Sequence, residues 1–439
     1  MSQALCEREC FERKHWSLNQ WLSFQEAHHP KSWDLGLERI GQVWQSLGAP
    51  PLARHTITIA GTNGKGSCVR WLEALCLAHE ISVMSFSSPH LLAYNERIRT
   101  QGNPIADEDL VLAFQAIDAA RGEVSLTYFE WSALAMFYLS AKRFPEVAVL
   151  EVGLGGRLDA TNLIDANSAI FTRIGLDHQD WLGHDIETIA LEKAGILRTG
   201  QHVFLADQNP PHSLLESIKQ TNVKALWHAY EAMTFTEEGL SLQLNEKLSL
   251  PKPRYMAGKH QYGHFTAAAL ALHHAGFTLH QSALTYALEH TQHFGRLMVI
   301  QEQPFVLVDV AHNADSAEIL AIHLRQLKIE KRIGKISAVC GMLNDKDHIA
   351  IFHHLQDCLD ELHLATLDGV RGTEANVLAQ SALNAGISSP LCYADVKSAL
   401  TSALSSLQDN EALVVFGSFV TVAQALPVLD VLLRNHHAP

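Results

Sequence analysis

HTITIAGTNGKGS, residues 55–67, is the stretch from which the first half of the chain can be read. His55–Ala60 is an apolar, β-branched run that predicts a buried strand. Val69, Leu72 and Cys76, spaced three and four apart, predict a helix over 65–79. Between them, Gly61, Gly64 and Gly66 let the backbone curl through Thr62 and Asn63, so that N–H groups converge on an anion at a helix N-terminus. Lys65 would then reach terminal phosphates, and Ser67 would offer a hydroxyl to Mg2+. The spacing departs from the common phosphate loop G-x-x-x-x-G-K-[ST]: the turn is shorter, and Gly66 separates lysine from serine. A glycine turn with a surface lysine is the competing reading, and the strand–turn–helix context speaks against it.

The same grammar extends outward. Strands are predicted at 81–86, Val147–Glu151 and 169–174, and helices at Asp107–Arg121 (Asp107 as cap, Asp109 in the first turn), Tyr128–Arg143, 185–197, 264–274 and 282–290. Residues 201–253 alternate only weakly. A second strand series follows at 305–309, Ile336–Cys340, 361–366 and Ala412–Phe416. Short apolar strands alternating with helices predict parallel sheets. The expected organisation is α/β: a parallel-rich phosphate-loop domain over 1–290, a linker at 291–296 containing Gly295, and a smaller Rossmann-like domain over 297–439.

With 439 residues, 47% hydrophobic and 18% charged, two globular domains are expected. A net charge of −14 argues against sequence-independent nucleic-acid binding, which needs a basic face. The seven cysteines include no CxxC pair and read as free thiols of a reducing cytosol. Cys6 and Cys10 lie one helical turn apart with no second ligand pair. The N-terminus lacks an apolar signal core, and the apolar 412–433 stretch, interrupted by Gly417 and Pro427, reads as a strand entering a helix rather than a membrane span. The histidine pairs 28–29, 273–274, 353–354 and 436–437 point in different directions on helices and read as mostly surface.

Other strand ends carry chemistry. In AVLEVGLGGRLDATN (148–162), Glu151 closes an apolar strand beside the phosphate loop, where a carboxylate can hold Mg2+; an ion pair at a strand end is the plainer reading. In 174–196, His178 could ligate a metal or be a hydrogen-bonded loop residue, and Lys193 could simply pair with Glu192 or Glu187; spacing assigns neither. FVLVDVAHN (305–313) ends on Asp309, His312 and Asn313, and LVVFGSF (413–419) on Gly417 and Ser418, although Asn, Gly and Ser also favour turns.

GTNGKGS, SSPHLLAYNERIR (87–99), LTYFE (126–130), EVGLGGRLDATN, GLDH with EKAGI, DVAHN, GMLNDKD (341–347) and GSF, in this order, resemble the folylpolyglutamate synthase/dihydrofolate synthase family of the Mur-ligase superfamily. The resemblance covers about residues 30–420. It implies an ATP-dependent ligase that phosphorylates a pterin-linked carboxylate and couples it to L-glutamate, with dihydropteroate and folates as acceptors. Position by position, it implies Lys65 on the phosphates and Ser88, Glu151 and His178 as ligands of Mg2+, with two ions in all. Lys193 matches a lysine that the family carbamylates. Arg296 would reach ATP, Asp309 and His312 would serve the nucleotide and glutamate, and Ser418 would bind glutamate. Thr127, Phe129 and Asp159 match the pterin pocket, Phe129 reading equally as helix core. His264 stands where relatives carry Asn near adenine. A cytoplasmic monomer is expected, without nucleic-acid or membrane partners. The rival readings are a folylpolyglutamate synthase alone, a cell-wall Mur-type ligase, and a phosphate-loop switch; the last usually carries N-K-x-D, which is absent here.

Overall fold

The computed structural model describes residues 13–29 and 34–436, so Cys6, Cys10 and His437 lie outside the described residues. The chain divides into two compact units: residues up to 174 with 182–253 and 259–291, and a second made of 175–181, 254–258 and 292 onward. Both are α/β with parallel-rich sheets, as expected. The segments 175–181 and 254–258, read in sequence as part of the first domain, cluster with the second unit.

The first unit is built on eight strands. The pairs at its centre are parallel: His55–Ala60 lies between Val147–Glu151 and Ser168–Phe171. Val83–Phe86 extends the sheet on one side and His202–Leu205 and Ala225–His228 on the other, also in parallel. Two short antiparallel strands, Ile98–Thr100 and Asn103–Pro104, close one edge. The central strands are buried on both faces, which is why they read as continuous apolar runs rather than alternating ones. The helix Tyr128–Arg143 covers one face, with Trp131 packed against Trp21 and Phe114. Helix Lys65–Ala78 begins at the glycine-rich turn, and Lys259–His274 packs beside it through Gln261 and Trp71.

The structure corrects several boundaries. Asp107 is the first helical residue and Ala106 the cap; the Asp107 carboxylate instead accepts from Asn95 Nδ2 at 2.8 Å. The strand read as 169–174 is Ser168–Phe171, because Arg173 turns away to serve the phosphate loop. The weakly alternating 201–253 region resolves into His202–Leu205, the helix His212–Gln220, Ala225–His228, and a separate antiparallel sheet of Met233–Phe235, Gly239–Gln243 and Lys247–Pro251. The apolar 412–433 stretch is a strand followed by a helix, Phe419–His436. Among the described residues no helix is long and apolar enough to cross a membrane.

The second unit has six strands in the order Met298–Glu302, Phe305–Val308, Ala412–Phe416, Ile336–Cys340, Glu361–Ala365, Leu391–Tyr393. All pair in parallel except the first, a half-exposed antiparallel edge that the sequence reading missed. Its core is aliphatic, with Phe305, Phe352 and Phe416 as the large fillers.

Not all histidines lie on the surface. His202 and His274 stack with Phe204 and Trp227, the last two ring centroids of that series, His274 and Trp227, being 4.0 Å apart. His55 Nε2 meets Ser168 Oγ at 2.9 Å, and burial, then the charge of His202, pushes its pKa down to about 4. A depressed histidine stabilises the fold above its unfolded pKa, near 6.5, and that contribution is lost as pH falls toward 4. Stability measured by urea unfolding should therefore decline from pH 6.5 to 4, and His55→Gln should flatten the decline. An unchanged slope in the variant would contradict this role for His55.

Candidate active site

The phosphate loop occupies the carboxyl end of the central strand. Thr62 and Asn63 N–H both donate to the Arg173 carbonyl, at 2.8 and 3.2 Å, which ties the loop to the neighbouring strand end. Gly64 caps the helix at φ 93°, a left-handed value that favours glycine. A Cβ there would also overlap the His264 imidazole, and one at Gly61 would overlap Thr172. Lys65 Nζ folds back to donate to the Gly61 and Thr62 carbonyls at 3.0 and 3.3 Å. Gly66 completes the first turn, which directs N–H groups outward from the helix end. Ser67 lies in the same turn, with Gln261 Nε2 at 3.4 Å from its hydroxyl. Gln261 in turn accepts from Trp71 Nε1 at 3.1 Å, so the Lys259–His274 helix braces the loop from behind. His264 is buried against the loop itself.

Parallel register sets the next groups. Ile59 pairs with Glu151, so the carboxylate lies at the strand end adjoining the loop. Glu151 is only 4% exposed and accepts from Ser88 N at 3.3 Å. Ser88 follows the parallel neighbour Val83–Phe86, so the structure brings these two candidate metal ligands together. His178, the third, is carried by the segment that belongs to the second unit. Among the described residues there is no cluster of three His, Cys, Asp or Glu side chains that could hold a metal.

The loop after Glu151 is organised by Asp159. Its carboxylate accepts from Gly153 N, Leu154 N, Thr161 N and Thr161 Oγ1, at 2.6–3.0 Å. Burial raises its pKa despite those four donors. Phe129 is half-buried, edge-on to Phe86 and seated over Gly153, where any Cβ would strike its ring. Thr127 caps its helix through a reciprocal exchange with Glu130. Phe129 and Asp159 thus meet at one loop of the first unit, and Thr127 caps the helix that carries Phe129.

Lys193 is not a surface residue: it is 4% exposed, at the end of the helix Ile186–Lys193. Glu192 pairs with Arg157, and Glu187 accepts from Ser213 N. A Cβ on Gly156 would strike the Lys193 backbone, and Asn162 Nδ2 bonds the Gly195 carbonyl at 3.1 Å. The GLGGRLDATN loop is therefore docked onto the lysine.

The second unit gathers its own set. Asp309 closes its strand by accepting from Leu297 N and Ala311 N, each at 2.7 Å; burial raises its pKa against the charge of Arg296. Arg296 lies over the Phe419 ring, 5.5 Å from its centroid. His312 Nδ1 donates to the Val310 carbonyl at 2.8 Å, which turns Nε2 toward Asp177 at 3.7 Å. Ser418 is buried and caps the last helix, accepting from Thr421 N at 3.0 Å.

Two residues here escaped the sequence reading, Asp177 and Lys346. Lys346 Nζ donates to Asp177 Oδ1 at 2.8 Å, and Asn313 Nδ2 to Oδ2 at 3.1 Å. Burial would raise the Asp177 pKa, but the facing His312, His178 and Lys346 outweigh it and hold the carboxyl far below the usual range. Both residues sat inside quoted motifs, GLDH and GMLNDKD, where a charge following an apolar strand was the available signal.

Gly64→Ala should weaken ADP binding at least tenfold by calorimetry, since both backbone angle and space are lost; affinity within twofold of the parent would contradict the phosphate-loop geometry.

Comparison with known proteins gives the arrangement its context. Residues 59–249 match the Mur ligase middle domain and 295–419 the Mur ligase glutamate ligase domain. The chain is 36% identical over 426 residues to the Escherichia coli dihydrofolate synthase/folylpolyglutamate synthase, covering 94% of this chain and 96% of that one. It is 36% identical over 432 residues to the Haemophilus influenzae protein of the same name, covering 94% and 98%. Among solved structures, E. coli FolC in complex with DHPP and ADP superposes with a TM-score of 0.88 at 34% identity, over 95% of this chain and 99% of that one. A bifunctional relative with Mn, AMPPNP and L-glutamate bound superposes with a TM-score of 0.86 at 37% identity, over the same shares. A phosphate loop, a buried carboxylate at the neighbouring strand end and identity at this level along nearly the whole length lead to one conclusion: the chain belongs to the dihydrofolate synthase/folylpolyglutamate synthase family of Mur ligases.

Proposed function

We propose that this protein is an ATP-dependent ligase that joins L-glutamate both to dihydropteroate and to the γ-carboxylate of a folate's glutamate tail, releasing ADP and phosphate. The observation that carries this reading is the pairing of Glu151 with Ser88 at the strand end beside the phosphate loop. A buried carboxylate there costs desolvation that a cation can offset. The residues fit Mg2+: Glu151 and Ser88 would hold it, with the Ser67 hydroxyl in the adjoining turn, and His178 would contribute from its own segment. The ion supplies charge neutralisation on the phosphates and the transferring phosphoryl group.

The chain's own groups do the rest. The phosphate loop and Lys65 hold the triphosphate in line with the acceptor carboxylate. One carboxylate oxygen attacks the γ-phosphorus, ADP leaves, and an acyl phosphate forms. The amine of glutamate attacks its carbonyl carbon; the tetrahedral intermediate expels phosphate, and the amide remains. Nothing here requires a protein nucleophile, since positioning and electrostatics dominate such transfers. Thr127, Phe129 and Asp159 would take the pterin, Phe129 by stacking and Asp159 by accepting from the amino-pyrimidinone edge. Arg296, Asp309 and His264 would serve the nucleotide, and His312 and Ser418 the incoming glutamate. Lys193, buried beside the GLGGR loop, would carry a carbamate, converting a cation into an anion suited to a second metal ion. We place the enzyme in the cytoplasm, in keeping with its free thiols, and expect it to act as a monomer.

Mg-ATP, L-glutamate and purified protein should release phosphate with dihydropteroate and, separately, with tetrahydrofolate. Release with tetrahydrofolate alone would reduce the enzyme to a folylpolyglutamate synthase, and silence with both would overturn the folate reading. Chelation by EDTA should abolish release. Glu151→Gln should lower kcat by about a hundredfold, near the range for removing one electrostatic stabiliser; a loss under threefold would remove Glu151 from the metal site.

A further inference from the structure

Asp177 is the point at which three separate segments of the second unit meet. Its own loop contributes the carboxylate and the His178 N–H, which donates to Oδ1 at 2.8 Å. The strand end after Phe305–Val308 contributes Asn313 Nδ2 at 3.1 Å and His312 Nε2 at 3.7 Å. The GMLNDKD loop contributes Lys346 Nζ at 2.8 Å, itself 3.5 Å from Asp345, which Arg371 also holds. The central pair is deeply buried, with side chains 10% and 7% exposed.

Burying such a pair yields little net stability, because desolvation offsets most of the Coulomb gain. What it supplies is fixed geometry. His178 sits at φ 50°, a left-handed value that surrounding structure must impose on a non-glycine residue. His312 donates from Nδ1–H to the Val310 carbonyl, which leaves its Nε2 facing Asp177 at 3.7 Å.

We infer that Asp177 is a positioning residue of the ligase: with Lys346 as its buried counter-charge, it fixes the orientation of His178 and His312 together. This rests on the functional reading above, which places both histidines in the active site.

The test compares Asp177→Asn, Lys346→Met and the double variant with the parent. Asparagine keeps the shape and one acceptor but removes the charge. Asp177→Asn should lower kcat/KM for glutamate at least thirtyfold while the dissociation constant for ADP stays within threefold, the phosphate loop being untouched. The double variant should be no worse than the poorer single variant, because the two side chains act as a unit. In 15N-histidine-labelled protein, the ring resonances of His178 and His312 should both shift in Asp177→Asn. Kinetic constants within twofold accompanied only by a lower Tm would make Asp177 merely structural and overturn the proposal. So would losses that multiply in the double variant, or unshifted histidine rings. The histidine spectra are read without turnover, so a wild-type protein lacking glutamate-dependent phosphate release would sink the functional reading while leaving the positioning claim to be decided by the spectra.

Discussion

Parallel pairing of His55–Ala60 with strands on both sides is the constraint on which the first unit depends. Parallel strands run their carboxyl ends to one edge, so the loops that follow them share that edge. The phosphate loop, Ser88, Glu151 and the Arg173 carbonyl that pins the loop all follow strands of this group. A one-residue slip of Val147–Glu151 would break the register of Ile59 with Glu151 and turn the carboxylate to the other face of the sheet. Burial on both faces is what makes such a slip costly.

The second unit solves a different problem with charge. Asp309 and Asp177 are both buried carboxylates, yet their surroundings push them in opposite directions. Burial dominates at Asp309, whose nearest donors are two backbone N–H groups, and raises its pKa. At Asp177 the charges of the facing side chains win. The first arrangement terminates a strand, and the second ties three segments together, two of which end in histidines. Backbone N–H groups suffice for local closure, whereas joining distant segments takes long charged side chains such as Lys346.

Much of this was legible in the residues. The apolar strands announced themselves because burial on both faces leaves no polar alternation, and GTNGKGS announced the loop because its glycines meet steric demands, at Gly64 a space where any Cβ would overlap His264. The pairing of Ser88 with Glu151 depended on strand order, which periodicity does not encode. Asp107 was misread as a cap because Asn95, twelve residues away, claims its carboxylate. The edge strand Met298–Glu302 was missed because it is half-exposed and carries no clean alternation. Asp177 and Lys346 were missed because their burial arises only when segments far apart in sequence meet. Lys193 showed the reverse: its candidate surface partners lie next to it in sequence, but the side chain is buried and the GLGGR loop lies against its backbone.

In the proposed reaction the acceptor carboxylate is phosphorylated before glutamate attacks. Dihydropteroate labelled with 18O in both carboxylate oxygens tests it directly, by mass analysis of the phosphate released in a single turnover with Mg-ATP and L-glutamate. The acyl-phosphate route predicts one 18O in each phosphate, carried over from the carboxylate. Phosphate free of 18O, formed alongside labelled amide product, would contradict the mechanism.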